Sequence, residues 1–276
     1  MDGAGSLEAA PGWLVVGVDR PATLAASLPL RVSAALEPAP AHAGVTLPHL
    51  VREPAREAAG ALILNHGRGA DEHDLYGLLD ALDPDRRLLG LTPGAPLGAA
   101  DVAGRSVLPV PPGGRHWYAV ERVGFPEPET FALAYAGLAA FLDEQLASRG
   151  IGWERTVIGG FSMGAVMSYA IALGPRRPRP AGVIALSGFV PTVEGWRPEL
   201  GERTGLPVFI HHGAADPMIP VDFGREAAAR LERDGLAVTY VESDAGHWVP
   251  PELVPRVSSF VAAALDLGES VQTAQA

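Results

Sequence analysis

The chain contains neither cysteine nor lysine. With 0 cysteines it can form no disulfide, no thiolate nucleophile and no Cys-ligated zinc or iron–sulfur site. All 21 basic residues are arginine, which removes the Schiff-base, pyridoxal-phosphate and P-loop lysines as well. A base composition that favours Ala, Gly, Pro and Arg explains both absences, and the exclusions hold whatever the cause. Positive charge is scarce too: 32 acidic residues leave a formal net charge of -11. No arginine cluster is longer than Arg176-Arg177 with Arg179 nearby, so a nucleic-acid partner is not expected. Long apolar runs are also missing. The longest, residues 131–142, is too short to span a bilayer. The opening Met1-Asp2-Gly3 has no basic n-region, so no secretory signal is expected and the cytoplasm is the default location.

What remains is a chain of 276 residues, 47% apolar and 19% charged, with ample material for a folded core. Residues 1–44 are rich in Ala, Pro and Gly and hold one strand-like run, residues 13–18. They read as an extension of unknown role: an added edge strand, a cover over the site, a homodimer contact or a disordered leader. From residue 45 to 267 short apolar runs alternate with helical patterns. That is the signature of an α/β domain, a mostly parallel central sheet flanked by helices. The expected strands are residues 61–64, 87–91, 155–158, 181–186, 207–210 and 236–241. The expected helices are 71–82, with acidic residues in its first turn, 130–149, closed by Gly150, one opening at Met163, 222–233, and 251–267. Residues 93–114 are dense in Pro and Gly and read as a long irregular loop. Residues 268–276 read as a frayed tail.

Gly160-Phe161-Ser162-Met163-Gly164 is a G-x-S-x-G pentapeptide. A strand candidate precedes it and a helical pattern follows, which is the context this motif needs to expose a serine hydroxyl on a strained turn. Among the 33 glycines the pattern alone is weak; with its context it marks Ser162 as a candidate nucleophile. A serine needs a base, and three histidines follow it: His211, His212 and His247. His247 lies in a loop before the last helix, where a base can hang. His211 and His212 end an apolar run and read as strand-end packing. The orienting acid should lie between Ser162 and His247. Asp216 fits, just past the 207–212 run, with Asp244 as its rival. Glu194, Glu199 and Glu202 read as solvated charges, and Asp222 as a helix N-cap. Oxyanion donors are expected from the backbone N–H groups of Met163 and Arg68, the latter in His66-Gly67-Arg68-Gly69. The Arg68 side chain reads equally as an anion contact or as solvent-facing, paired with Asp71 or Glu72. His66, His73, Asp71 and Asp74 could be drawn as metal ligands, but Asp71 and Asp74 suit a helix start, so no metal is expected.

The blocks His66-Gly67-Arg68-Gly69-Ala70-Asp71-Glu72, Gly159-Gly160-Phe161-Ser162-Met163-Gly164, Ser187-Gly188-Phe189, Asp216-Pro217-Met218-Ile219-Pro220 and Gly246-His247 occur in this order. Together they resemble the phospholipase/carboxylesterase family, serine esterases of the α/β-hydrolase fold related to acyl-protein thioesterases. The resemblance runs from about residue 46 to 265 and leaves residues 1–44 uncovered. It implies a Ser162, Asp216, His247 triad, oxyanion N–H groups from Arg68 and Met163, and no cofactor. It further implies a small-molecule ester as substrate, with thioesterase, protein deacylase or lysophospholipase activity as alternatives. A non-catalytic binding module of the same fold is a separate reading. The absence of cysteine disfavours the dienelactone-hydrolase type. Trp117, Phe125, Phe189, Met218, Ile219 and Trp248 cluster near strand ends and motif blocks. They are the candidate substrate contacts of an apolar pocket for short to medium acyl groups.

Overall fold

The computed structural model describes residues 46–268; the N-terminal extension, residues 1–44 with its 13–18 run, and the tail beyond Gly268 lie outside them. Seven strands form one sheet in the order β1-β3-β2-β8-β9-β10-β11. They are β1 (His49–Arg52), β2 (Gly60–Asn65), β3 (Leu88–Pro93), β8 (Thr156–Phe161), β9 (Gly182–Leu186), β10 (Pro207–Gly213) and β11 (Ala237–Ser243). Only β1, at one edge, runs antiparallel to its neighbour. The inner strands are apolar on both faces because helices cover both. β2 illustrates the period of two: Ala61 and Ile63 enter one core, Leu62 and Leu64 the other. β11, at the far edge, alternates between exposed and covered residues instead.

α1 (Tyr76–Leu82) and α6 (Val254–Ala264) pack on the second of these cores; α3 (Pro128–Ala147), α4 (Met163–Leu173) and α5 (Asp222–Arg233) pack on the first. All eleven residues of α4 are buried, which explains its uniformly apolar sequence. Between β3 and β8 the chain makes two small antiparallel pairs, β4 (Leu97–Gly98) with β5 (Arg115–His116) and β6 (Val120–Arg122) with β7 (Phe125–Pro126). The single turn α2 (Ala99–Val102) sits among them. The chain leaves β2 toward β3 on one side and later enters β8 on the other. The C-terminal ends of β2 and β8 therefore form the switch point where α/β sheets open a crevice.

Several expected boundaries move, each for a local reason. The first helix starts at Tyr76, not Asp71: residues 72–75 make turns, and Asp71 Oδ1 accepts the His73 N–H at 2.9 Å instead of opening a helix. α3 starts two residues early because Glu127 accepts the N–H groups of Glu129 and Thr130 and Pro128 suits the first turn. Its end follows the expected pattern, with Gly150 at φ 64. The 93–114 segment is not wholly irregular, since it carries β4 and α2. The closing helix begins as a short 3-10 turn (Pro251–Leu253), and α6 stops at Ala264. Asp222 is the first helical residue, after Val221 as cap. His211 and His212 belong to β10 itself. β1, only four residues long, is an addition to the expected strands.

Arg52 fastens the β1 edge to α1. Its guanidinium is fully buried and meets the Asp83 carboxylate at 2.5 Å, the Leu79 carbonyl at 2.6 Å and the Leu88 carbonyl at 3.1 Å. Asp83 accepts the N–H groups of Arg87 and Leu88 in turn. Asp83→Ala would leave a buried cation with only the exposed Asp80 carboxylate, 3.3 Å from Nη1, as counter-charge. It is expected to lower the unfolding free energy by about 3–5 kcal/mol in a denaturant titration. A loss under about 1 kcal/mol would mean that Asp80 and the carbonyls together satisfy Arg52.

Candidate active site

Ser162 stands between β8 and α4 with φ 54 and ψ -119, a conformation L-residues adopt only when the surroundings impose it. The surroundings do so by crowding. A Cβ on Gly160 would sit 2.5 Å from the Asn65 carbonyl oxygen, and one on Gly164 would collide with the same carbonyl. Both glycines of the motif are thus required by the close approach of β2 to the elbow. Asn65 also binds across it: Nδ2 donates to Ser168 Oγ at 2.9 Å, and that hydroxyl donates to the Gly164 carbonyl at 2.8 Å.

The hydroxyl of Ser162 lies 2.9 Å from His247 Nε2, and His247 Nδ1 lies 2.7 Å from Asp216 Oδ2. With the Nδ1–H donated to a carboxylate, Nε2 is left as the acceptor for the serine proton. Asp216 Oδ1 accepts the N–H groups of Met218 at 2.8 Å and Ile219 at 2.9 Å. Burial pushes this carboxyl up. The hydrogen bond and charge of His247, with the two N–H donors, outweigh it and hold Asp216 below the usual carboxylate range. Asp244, the rival acid, is exposed, as are Glu194, Glu199 and Glu202. His212 contributes from behind: its Nε2 lies 2.9 Å from the Ile219 carbonyl and 3.6 Å from Asp216 Oδ2. It therefore shapes the turn that feeds Asp216, a part its place at a strand end did not reveal.

Arg68 and Met163 face the same cavity from opposite sides of Ser162, one on the loop after β2 and the other at the first position of α4. The loop is pinned by a buried His66. Its Nδ1 lies 2.7 Å from the Gly67 carbonyl, and its Nε2 accepts the Ala95 N–H at 2.9 Å. Both ring nitrogens are thus engaged with backbone, which separates His66 from the group formed by the exposed Asp71 and His73 and the half-buried Glu72. The Arg68 guanidinium, partly exposed, reaches neither Asp71 nor Glu72. It donates to the Pro109 carbonyl at 2.8 Å and so ties the loop to the segment between α2 and β5.

The cavity holds about 660 Å³. Phe189, Met218, Ile219 and Trp248 line it. Trp117 and Phe125 do not. Trp117 is fully buried; its Nε1–H donates to the His66 carbonyl at 3.0 Å and its own N–H reaches Met163 Sδ at 3.3 Å. Tyr118, next to it at the bend that follows β5, lines the cavity instead. Phe125 lies beneath the Arg122 guanidinium, 3.4 Å from its ring centroid, and opens on a separate small pocket with Phe223. Trp117 is thus a brace between the two flanks of Ser162. Trp117→Phe would strand a buried carbonyl and loosen the loop. It is expected to lower stability by about 1–3 kcal/mol and kcat about tenfold with little change in KM. Unchanged kcat would show that the loop stands without the indole.

The sequence profile of the phospholipase/carboxylesterase family matches residues 48–265. The chain belongs to that family. Within the family's reach it is 30% identical over 196 residues to acyl-protein thioesterase 1 of Debaryomyces hansenii, covering 66% of this chain and 80% of that protein. It is 28% identical over 201 residues to the acyl-protein thioesterase 1 of Candida albicans, covering 67% and 84%. Among solved structures, the Bacillus cereus carboxylesterase superposes with a TM-score of 0.66 at 21% identity, over 79% of this chain and 94% of that one. At such identity the likeness speaks for the α/β-hydrolase fold alone. As a phospholipase/carboxylesterase member the chain falls among hydrolases with esterase and thioesterase relatives. Among the described residues no helix is long and apolar enough to cross a membrane.

Proposed function

We propose that the chain is a cofactor-independent serine esterase that works through an acyl-enzyme. The hydrogen-bonded line from Ser162 through His247 to Asp216, at a strained elbow that opens into an apolar cavity, carries this reading. Ser162 Oγ attacks the ester carbonyl carbon while His247 Nε2 takes the hydroxyl proton. The negative charge that develops on the carbonyl oxygen is met by the backbone N–H groups of Arg68 and Met163. The carbon–oxygen bond to the alcohol breaks, and the imidazolium returns its proton to that oxygen. Water then repeats the sequence: it gives a proton to His247 and its oxygen to the acyl carbon, and Ser162 Oγ leaves with the proton. Asp216 holds the imidazole tautomer and stabilises its charged form throughout. Short to medium acyl groups fit the side of the cavity formed by Tyr118, Phe189, Met218 and Ile219.

A fluorophosphonate probe tests the assignment. It should label Ser162 stoichiometrically, and intact protein that resists labelling would favour a binding module of this fold. The kinship to acyl-protein thioesterases supports a second reading, thioester cleavage by the same residues. Matched oxygen and sulfur esters of one acyl chain decide between them through the ratio of their kcat/KM values.

A further inference from the structure

The cavity does not end at Ser162. It crosses the C-terminal edge of the sheet, and its lining divides between the two cores. On one side Val120, Phe189 and Ile219 belong to the core under α3, α4 and α5, with Val123 and Met218 packed against it. On the other side Leu75 and Leu78 belong to the core under α1 and α6, with Val249 and Val254 packed against it. Trp248, 41% exposed, and Pro251 complete the second wall. Ser162 thus lines a cavity whose apolar walls come from both cores, one arm of lining from each.

We infer that the arm between α1 and α6 is a leaving-group subsite, and that the substrates are esters whose alcohol part is apolar as well as their acyl part. The inference rests on the proposed ester hydrolysis at Ser162. The proton released in the first half-reaction travels from His247 Nε2 to the departing oxygen, so the alcohol must lie along the wall that continues from His247. That wall is Trp248, Val249, Pro251 and Val254, and the facing wall is Leu75, Leu78 and Ala81. Among the described residues that line the cavity, the acidic and basic side chains besides the His247 imidazole are Arg68 and Asp74. Arg68 is held by the Pro109 carbonyl. Asp74, next to Leu75, sets an acidic group beside this arm, which works against a phosphate or carboxylate on the alcohol. A peptide leaving group would need polar partners for its backbone, and this arm supplies a hydrocarbon wall.

The test uses butyrate esters of methanol, propanol and pentanol, with a pentanol analogue that ends in a carboxylate. The acyl-enzyme is common to all of them and the alkanols differ little as leaving groups, so kcat/KM reports the alcohol subsite. Each buried methylene is worth up to about fourfold. At least a tenfold rise from methyl to pentyl is expected, with the carboxylate analogue at least tenfold below the pentyl ester. Ala81→Trp, at an exposed position of α1, should cut the pentyl-to-methyl ratio at least threefold; reading the ratio cancels any general loss from misfolding. A flat series, an unchanged ratio in that variant, or faster turnover of a butyryl-serine peptide than of the pentyl ester overturns the subsite while leaving esterase activity standing. Failure of every ester, the methyl one included, overturns the esterase reading and this inference with it.

Discussion

Ser162→Ala is expected to lower kcat by about 10³-fold or more with little change in thermal stability. The serine hydroxyl has one hydrogen-bond partner, His247 Nε2 at 2.9 Å, and the fold does not depend on it. The strain at φ 54 is imposed by the approach of Asn65 to Gly160 and Gly164, and alanine bears it about as serine does. The Ser162 N–H still donates to the Leu186 carbonyl at 2.8 Å. Without Oγ no acyl-enzyme can form, so only the N–H groups around the carbonyl oxygen and apolar binding remain. In serine hydrolases these leave a residual rate of about 10³–10⁴ over water. Initial rates on a soluble butyrate ester, with a melting curve of the same sample, check both halves. A variant with near-full activity would remove Ser162 from the reaction.

How much of this was legible in the sequence depended on whether the cause was local. The elbow was legible because its chemistry is contiguous: two glycines, a serine, a strand before and a helix after. The start of α1 was misjudged because Asp71 suits a helix N-terminus and an Asx-type turn equally. The structure has the turn, in a loop whose start His66 anchors to Ala95, 29 residues away. The facing of Trp117 was missed for a similar reason. Its indole answers the His66 carbonyl, 51 residues distant, and Tyr118 beside it lines the cavity. Phe125 was drawn away by Arg122 and by the separate pocket beside Phe223. β1 was too short to carry a pattern, and its partner β3 lies more than thirty residues ahead. The shape of the cavity follows from which strands are neighbours, and no single segment states that.

Acid is expected to destabilise the chain over an unusually early window, from about pH 6.5 downward. His66 is buried, and burial lowers its pKa to about 4 despite the Gly67 carbonyl and two nearby carboxylates that raise it. Its neutral state is also required by geometry, because Nε2 accepts the Ala95 N–H. In the unfolded chain the same imidazole takes up its proton near pH 6.5. Between these values the unfolded state binds more protons than the folded one, so stability falls as pH falls, and the loss is complete below pH 4. For His66 alone the change from pH 7 to pH 5 is about 2 kcal/mol. His116 and His211 add in the same direction, since burial lowers each to about 4, with the Arg68 and His212 charges respectively assisting. Asp216 acts lower on the scale. Its carboxyl is held below the ordinary range, so its contribution is present above about pH 4 and is lost only on further acidification. Denaturant titrations at pH 7, 6 and 5 would measure the sum, expected to exceed 3 kcal/mol against a total of about 5–15 for a typical domain. His66→Gln would flatten the slope if the imidazole is the sensor. A stability curve level from pH 7 to 5 would mean that these histidines titrate alike in both states and that their burial is relieved by opening of the loop between β2 and α1.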